Sequence, residues 1–139
     1  MGLAVAAAPA SELARFPVGP VCLEGQLSVA REFAKSWAVF AGRVVTAVSV
    51  PPAPPNWDEG ILYRVTVDTV FRGSPGREIR LFNENSSGRF PMEVGTTYIL
   101  FVYQALGRTV VDNCGNSMPL TRAEAVLDTL RQLSRGPRP

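Results

Sequence analysis

The chain contains no histidine. Histidine is the commonest general base and the commonest metal ligand, so a Ser-His-Asp triad or a Cys-His pair cannot be assembled here. A zinc site would need Asp, Glu and two distant cysteines, an unsuitable set. The sequence therefore calls for no cofactor and offers little to an enzyme. Lysine is nearly absent too: Lys35 stands alone beside 13 arginines. Those arginines are scattered, with no basic tail or block, and a net charge of +2 gives weak grounds for a nucleic-acid partner. No apolar run approaches the roughly 18 residues that a membrane-spanning helix needs. Cysteine occurs only at Cys22 and Cys114. One disulfide and two buried thiols both fit, and the compartment decides between them.

What is present suits one folded domain. The 139 residues are 46% hydrophobic and 19% charged, enough apolar content for a single core and too short a chain for two. Residues 1–10 (MGLAVAAAPA) are small and apolar, like the end of a secretory signal peptide with its cleavage zone, but lack a basic leader. Residues 1–19 are thus a signal remnant or a disordered arm, residues 20–135 the domain and 136–139 a tail.

The organising stretch is residues 61–84. Ile61, Tyr63, Val65 and Val67 alternate with Leu62, Arg64, Thr66 and Asp68, the period of a strand with one apolar face. Residues 73–76 (GSPG) break the run and a second strand follows, giving a β-hairpin that points Tyr63, Val65, Val67, Ile79 and Leu81 inward. Before it, residues 38–50 read as a valine-rich strand with a bulge or bend at Gly42. Residues 51–57 (PPAPPNW) make a stiff loop, either a connector or a projecting contact tipped by Trp57. Residues 96–104 are apolar on both faces, as in a central strand or one covered by a helix, and residues 108–112 form a fifth strand. Two helices flank the strands. Ser28 caps the first, whose apolar stripe is Leu27, Ala30, Phe33, Ala34 and Trp37. Thr121 and Glu124 form a capping box for the second, with a stripe of Ala123, Val126, Leu127, Leu130 and Leu133. The expectation is a mainly β, five-stranded barrel of the OB type, closed or partly closed, with a short N-terminal helix and a C-terminal helix packed on it. A two-sheet sandwich is the alternative.

Several segments in order resemble the netrin-like and tissue-inhibitor-of-metalloproteinases (TIMP) superfamily, its bacterial members above all. They are Cys22 with the helix containing Phe33, residues 37–44 (WAVFAGRV), 65–73 (VTVDTVFRG), Phe90, 94–101 (VGTTYILF) and 114–120 (CGNSMPL). The resemblance spans nearly the whole chain from Cys22 onward and implies an OB barrel in an exported protein. Animal inhibitors of this kind begin at a Cys-x-Cys whose first cysteine chelates the protease zinc through its free amine and carbonyl. Here the triplet is Pro20-Val21-Cys22, and the first cysteine's partner position falls at Ser87-Gly88. Both halves of that bridge are absent together. The remaining pair, Cys22 and Cys114, matches the second bridge, so the resemblance implies a Cys22–Cys114 disulfide. Zinc chelation does not carry over, because Pro20 supplies no free amine unless cleavage falls there.

Three functions compete. The favoured one is a secreted or periplasmic protein-interaction module without catalytic activity, binding an unknown protein partner, a protease among the candidates. The resemblance places its contact edge at Val21, Cys22, Leu23 and the loop ending at Trp57. Metalloprotease inhibition by that edge is a narrower alternative. The second function is nucleic-acid or oligosaccharide binding, with Tyr63, Phe82, Tyr98 and Tyr103 as stacking candidates, although alternation assigns most of them to the core. The third is an enzyme using a carboxylate pair from Asp68, Glu84, Glu93 and Asp112, residues whose ordinary place is a solvated face.

Overall fold

Valine and other β-formers from Ala38 to Val50 build β1, the strand on which the sheet is assembled. The computed structural model describes Cys22 and residues 25–54, 59–86 and 89–135. Helix α1 (Val29–Lys35) precedes β1; β2 (Gly60–Arg72), β3 (Glu78–Glu84), β4 (Thr97–Ala105), β5 (Arg108–Val111) and the two-residue β6 (Met118–Pro119) follow, and α2 (Glu124–Arg135) closes the chain. The strands form one antiparallel sheet in the order β3-β2-β1-β4-β5, with β6 pairing β4. The sequence predicts five strands; β6 is the sixth, too short to show a period. The hydrogen-bonded path ends at β3 and β5, so the sheet is open. Those two end strands nevertheless approach with Cα atoms within 8 Å.

The expected hairpin is present, with Tyr63 opposite Leu81 and Val65 opposite Ile79. These four side chains are buried and Val67 packs against them, as alternation predicts. Phe71 departs from the pattern. It packs on the helix side of the sheet, beyond register shifts between Val39 and Phe40 and between Ala41 and Gly42. The predicted bulge at Gly42 is there, and it has a packing reason. A Cβ at Gly42 would lie 2.7 Å from Val65 Cγ1 and 3.1 Å from the Thr66 carbonyl oxygen.

Strands β1 and β4 are buried on both faces. Phe40, Val44, Tyr98, Leu100 and Val102 face the hairpin side, and Val39, Ala41, Ile99 and Phe101 face the helices. Val126 and Leu130 of α2, and Ala123 just before it, are buried there, with Leu127 partly so, as the stripe predicts. The capping box does not form: Thr121 lies inside a 3-10 turn (Leu120–Arg122), and α2 begins only at Glu124. In α1, Ser28 caps as expected, its Oγ accepting from the Arg31 N–H at 3.2 Å. Of the expected stripe, only Phe33 packs against the core. Ala30, Ala34 and Trp37 are exposed, and the inward face is Val29, Glu32, Phe33 and Ser36. The Arg72 guanidinium donates to the last α1 carbonyls, from Nε to Ser36 O at 3.0 Å and from Nη2 to Ala34 O at 3.3 Å, and lies over the Phe33 ring.

No helix among the described residues is long and apolar enough to cross a membrane.

Candidate functional site

A disulfide joins Cys22 to Cys114, with Cα atoms 5.7 Å apart and the two cysteines 92 positions apart in sequence. Around it, the chain before α1 is laced to residues 114–116. Gln26 Nε2 donates to Gly115 O at 2.7 Å and Asn116 Nδ2 to Leu27 O at 2.9 Å. The centre of the lacing is Glu32, a carboxylate only 1% exposed. Its Oε1 accepts from the Asn116 backbone N–H at 2.6 Å and from Asn116 Nδ2 at 2.9 Å. Its Oε2 accepts from the Tyr103 hydroxyl at 2.7 Å. A buried carboxylate is tolerable only when donors replace water in this way. The consequence falls on Tyr103. Burial, then the hydrogen bond to Glu32 and the Glu32 charge, hold its phenol far above the ordinary range, with Ser36 pulling the other way.

Tyr103 also lines a cleft of about 400 Å³ between α1, β3 and β5. Phe82, Val110 and Val111 give the cleft its apolar side; Lys35, Glu84, Arg89, Arg108 and Asp112 supply charges of both signs. The Arg108 guanidinium lies over the Phe82 ring at 4.1 Å. Asp112 links the cleft to the disulfide, since its Oδ1 accepts from the Cys114 N–H at 2.9 Å.

A second cleft, of about 470 Å³, is lined by Ser49, Val50, Pro51, Glu59, Ile61 and Pro91 among others. Asn83 and Arg89 line both clefts, so the two meet there. Asn83 is buried and holds the backbone of Phe90 from both sides, donating from Nδ2 to its carbonyl and accepting at Oδ1 from its N–H at 3.1 Å. Arg89 donates to Asn85 Oδ1 at 2.8 Å, and Asn85 in turn donates to Glu59 Oε2 at 3.1 Å. The two clefts are thus neighbours that share Asn83 and Arg89, a furrow in two parts from Asp112 to Pro51.

At one margin stands Leu106, 86% exposed. It and Gly107 form the two-residue connection between β4 and β5, with φ of 54° and 75°. Two positive φ values define a type I′ hairpin turn, which favours Asn-Gly. A leucine there is strained by the backbone and uncovered by the fold.

Of the expected contact residues, Cys22 is exposed and bridged, while Val21, Leu23 and Trp57 lie outside the described residues; residues 51–54 are exposed. Among the stacking candidates, Tyr63 and Tyr98 are buried, their hydroxyls accepting from the Met92 and Glu93 N–H groups at 3.1 and 2.8 Å. Phe82 is buried under Arg108, and Tyr103 is engaged by Glu32. The four carboxylates do not gather: Asp68, Glu84, Glu93 and Asp112 are exposed on separate strands and loops, and only Glu84 and Asp112 share the first cleft. Sequence reasoning missed Glu32, Asn83 and Leu106. A charge between Val29 and Phe33 on an inward helix face, and a leucine where a hairpin wants asparagine, were the available signals. No protein-family model matches this sequence, and no curated protein is significantly similar to it.

Proposed function

We propose that the chain is an exported protein-binding module, related to the netrin-like and TIMP-like superfamily, that holds an extended segment of a protein partner in the furrow. The observation that carries this reading is the meeting of the two clefts at Asn83 and Arg89. The two clefts reach from Asp112, whose carboxylate accepts from the Cys114 N–H, to Pro51 at the start of the proline loop, and the resemblance assigns partner contact to the Cys22 edge and that loop. The strand order, together with the approach of β3 to β5, supports an OB-type barrel left unzipped at that pair. The disulfide supports an oxidising compartment.

The module acts by binding, not catalysis. Phe82, Val110 and Val111 take an apolar side chain, while Lys35, Arg89, Arg108, Glu84 and Asp112 orient the polar backbone and flanking charges. Leu106 adds an uncovered apolar contact at the margin. Inhibition of a zinc protease is the narrower form of the same reading.

The test uses displayed random linear peptides selected on the immobilised, oxidised protein. Leu106→Asn restores the turn's preferred residue, so it raises the melting temperature while weakening the selected peptides at least about tenfold, a loss of about 1.4 kcal/mol. Val70→Asp, on exposed β2 surface outside both clefts, leaves binding unchanged. Failure to select any peptide, or peptides indifferent to Leu106→Asn, would overturn the reading.

A further inference from the structure

Among the described residues, the outer edge of β1 is occupied for only half its length. Ala38 to Arg43 pair with β4, and Val44 exchanges hydrogen bonds with Thr96 and Gly95 at 3.0 and 2.7 Å. Beyond that point β1 pairs with β2 alone, and among the described residues no backbone group bonds to residues 45–50 on the other side. These six residues read Val-Thr-Ala-Val-Ser-Val. They are β-formers without a charge or a proline, and natural free edges are commonly blunted by one or the other. Ala47 and Ser49 are exposed, and Val48 is 57% exposed. Pro51 and Pro52 then end the edge.

We propose that this edge is a dimerisation surface, on which residues 46–50 pair antiparallel with the same residues of a second copy of the chain. The sequence fits its own copy. In a two-fold antiparallel pairing, opposed residues share a face, so with period-two alternation one residue must lie opposite itself. With Val48 on the axis, Val48 faces Val48 of the second copy, Ala47 faces Ser49, and Thr46 faces Val50. No charge meets a like charge, and the most exposed apolar residue of the edge gains its own kind as partner. The paired stretch stops short of Val44, already bonded to the turn at Gly95, and of Pro51, which has no N–H to give. A partner with a charged strand would bury that charge against valines. The surface overlaps the furrow only at its end, where Ser49 and Val50 also border the second cleft. An interface of this size gives a concentration-dependent dimer, not a permanent one.

Sedimentation equilibrium of the full oxidised chain, over a series from micromolar to millimolar, tests this. The mass should rise from that of one 15.0 kDa chain towards twice that value. Val48→Lys, at an exposed position that the fold does not need, should remain at one chain throughout. Val48→Cys should give a covalent dimer under mild oxidation, because opposed strand residues bring their Cβ atoms within about 4.5–5.5 Å. A single-chain mass at every concentration would overturn the proposal. So would a dimer that survives Val48→Lys, or a Val48→Cys protein that does not cross-link while the wild type dimerises.

Discussion

Glu32 anchors α1 through three hydrogen bonds to residues 71 and 84 positions further along. That distance is why its role was illegible in sequence. On the helix alone, Ala30, Ala34 and Trp37 make the more apolar stripe, and only partners brought from β4 and the 114–116 segment turn the helix the other way. Glu32→Leu keeps the size and strands the buried Asn116 donors, so it should cost about 2–4 kcal/mol, since each unsatisfied buried group costs about 1–3 kcal/mol. Glu32→Gln keeps an acceptor and should cost clearly less; urea midpoints for the two variants check this. Tyr103 makes the same cluster sensitive to alkali. Its raised pKa means that the fold favours the neutral phenol. That contribution is fully present below the ordinary value of 10.0 and is lost as pH rises above it. Stability measured above that pH should therefore fall less steeply in Tyr103→Phe than in the wild type. Equal slopes would place the alkaline loss elsewhere.

The strands were the legible elements. Residues 38–50 are rich in valine, the 61–84 hairpin alternates with a period of two, and the bulge was marked by a glycine. The β4 segment was equally plain, because a strand apolar on both faces must be covered on both. Helix ends were less legible. The Thr121 and Glu124 pattern is a sound local capping signal, but Pro119 and the pairing of β6 with β4 place a 3-10 turn where the first helical turn would stand. The stripe of α2 survives that shift, since its spacing does not depend on where the helix starts. Leu130 is fully buried between α2 and the sheet. Leu130→Ala should cost about 2–5 kcal/mol in chemical denaturation. A loss much below that would mean that α2 is only loosely docked.

At the scale of the whole molecule, the disulfide and the Glu32 cluster tie the segment before α1 to the segment after β5. The pairing of Cys22 with Cys114 was expected from the resemblance, and the bond is present. The furrow was not legible, because its lining comes from α1, β3, β5 and the loops around Asn85 and Arg89, and no local pattern announces such a meeting. Replacing both cysteines with serine should lower stability by about 2–5 kcal/mol, the usual cost of removing a native bridge, as read by thermal or urea unfolding. The furrow is proposed as the place where a partner binds. The direct measurement is a map of backbone amide shifts in the isotope-labelled protein on titration with a selected peptide. Shifts should run from Tyr103, Arg108 and Asp112 through Asn83 and Arg89 to Glu59 and Ile61. Shifts confined to α2, or to residues 45–50 of β1, would contradict binding in the furrow.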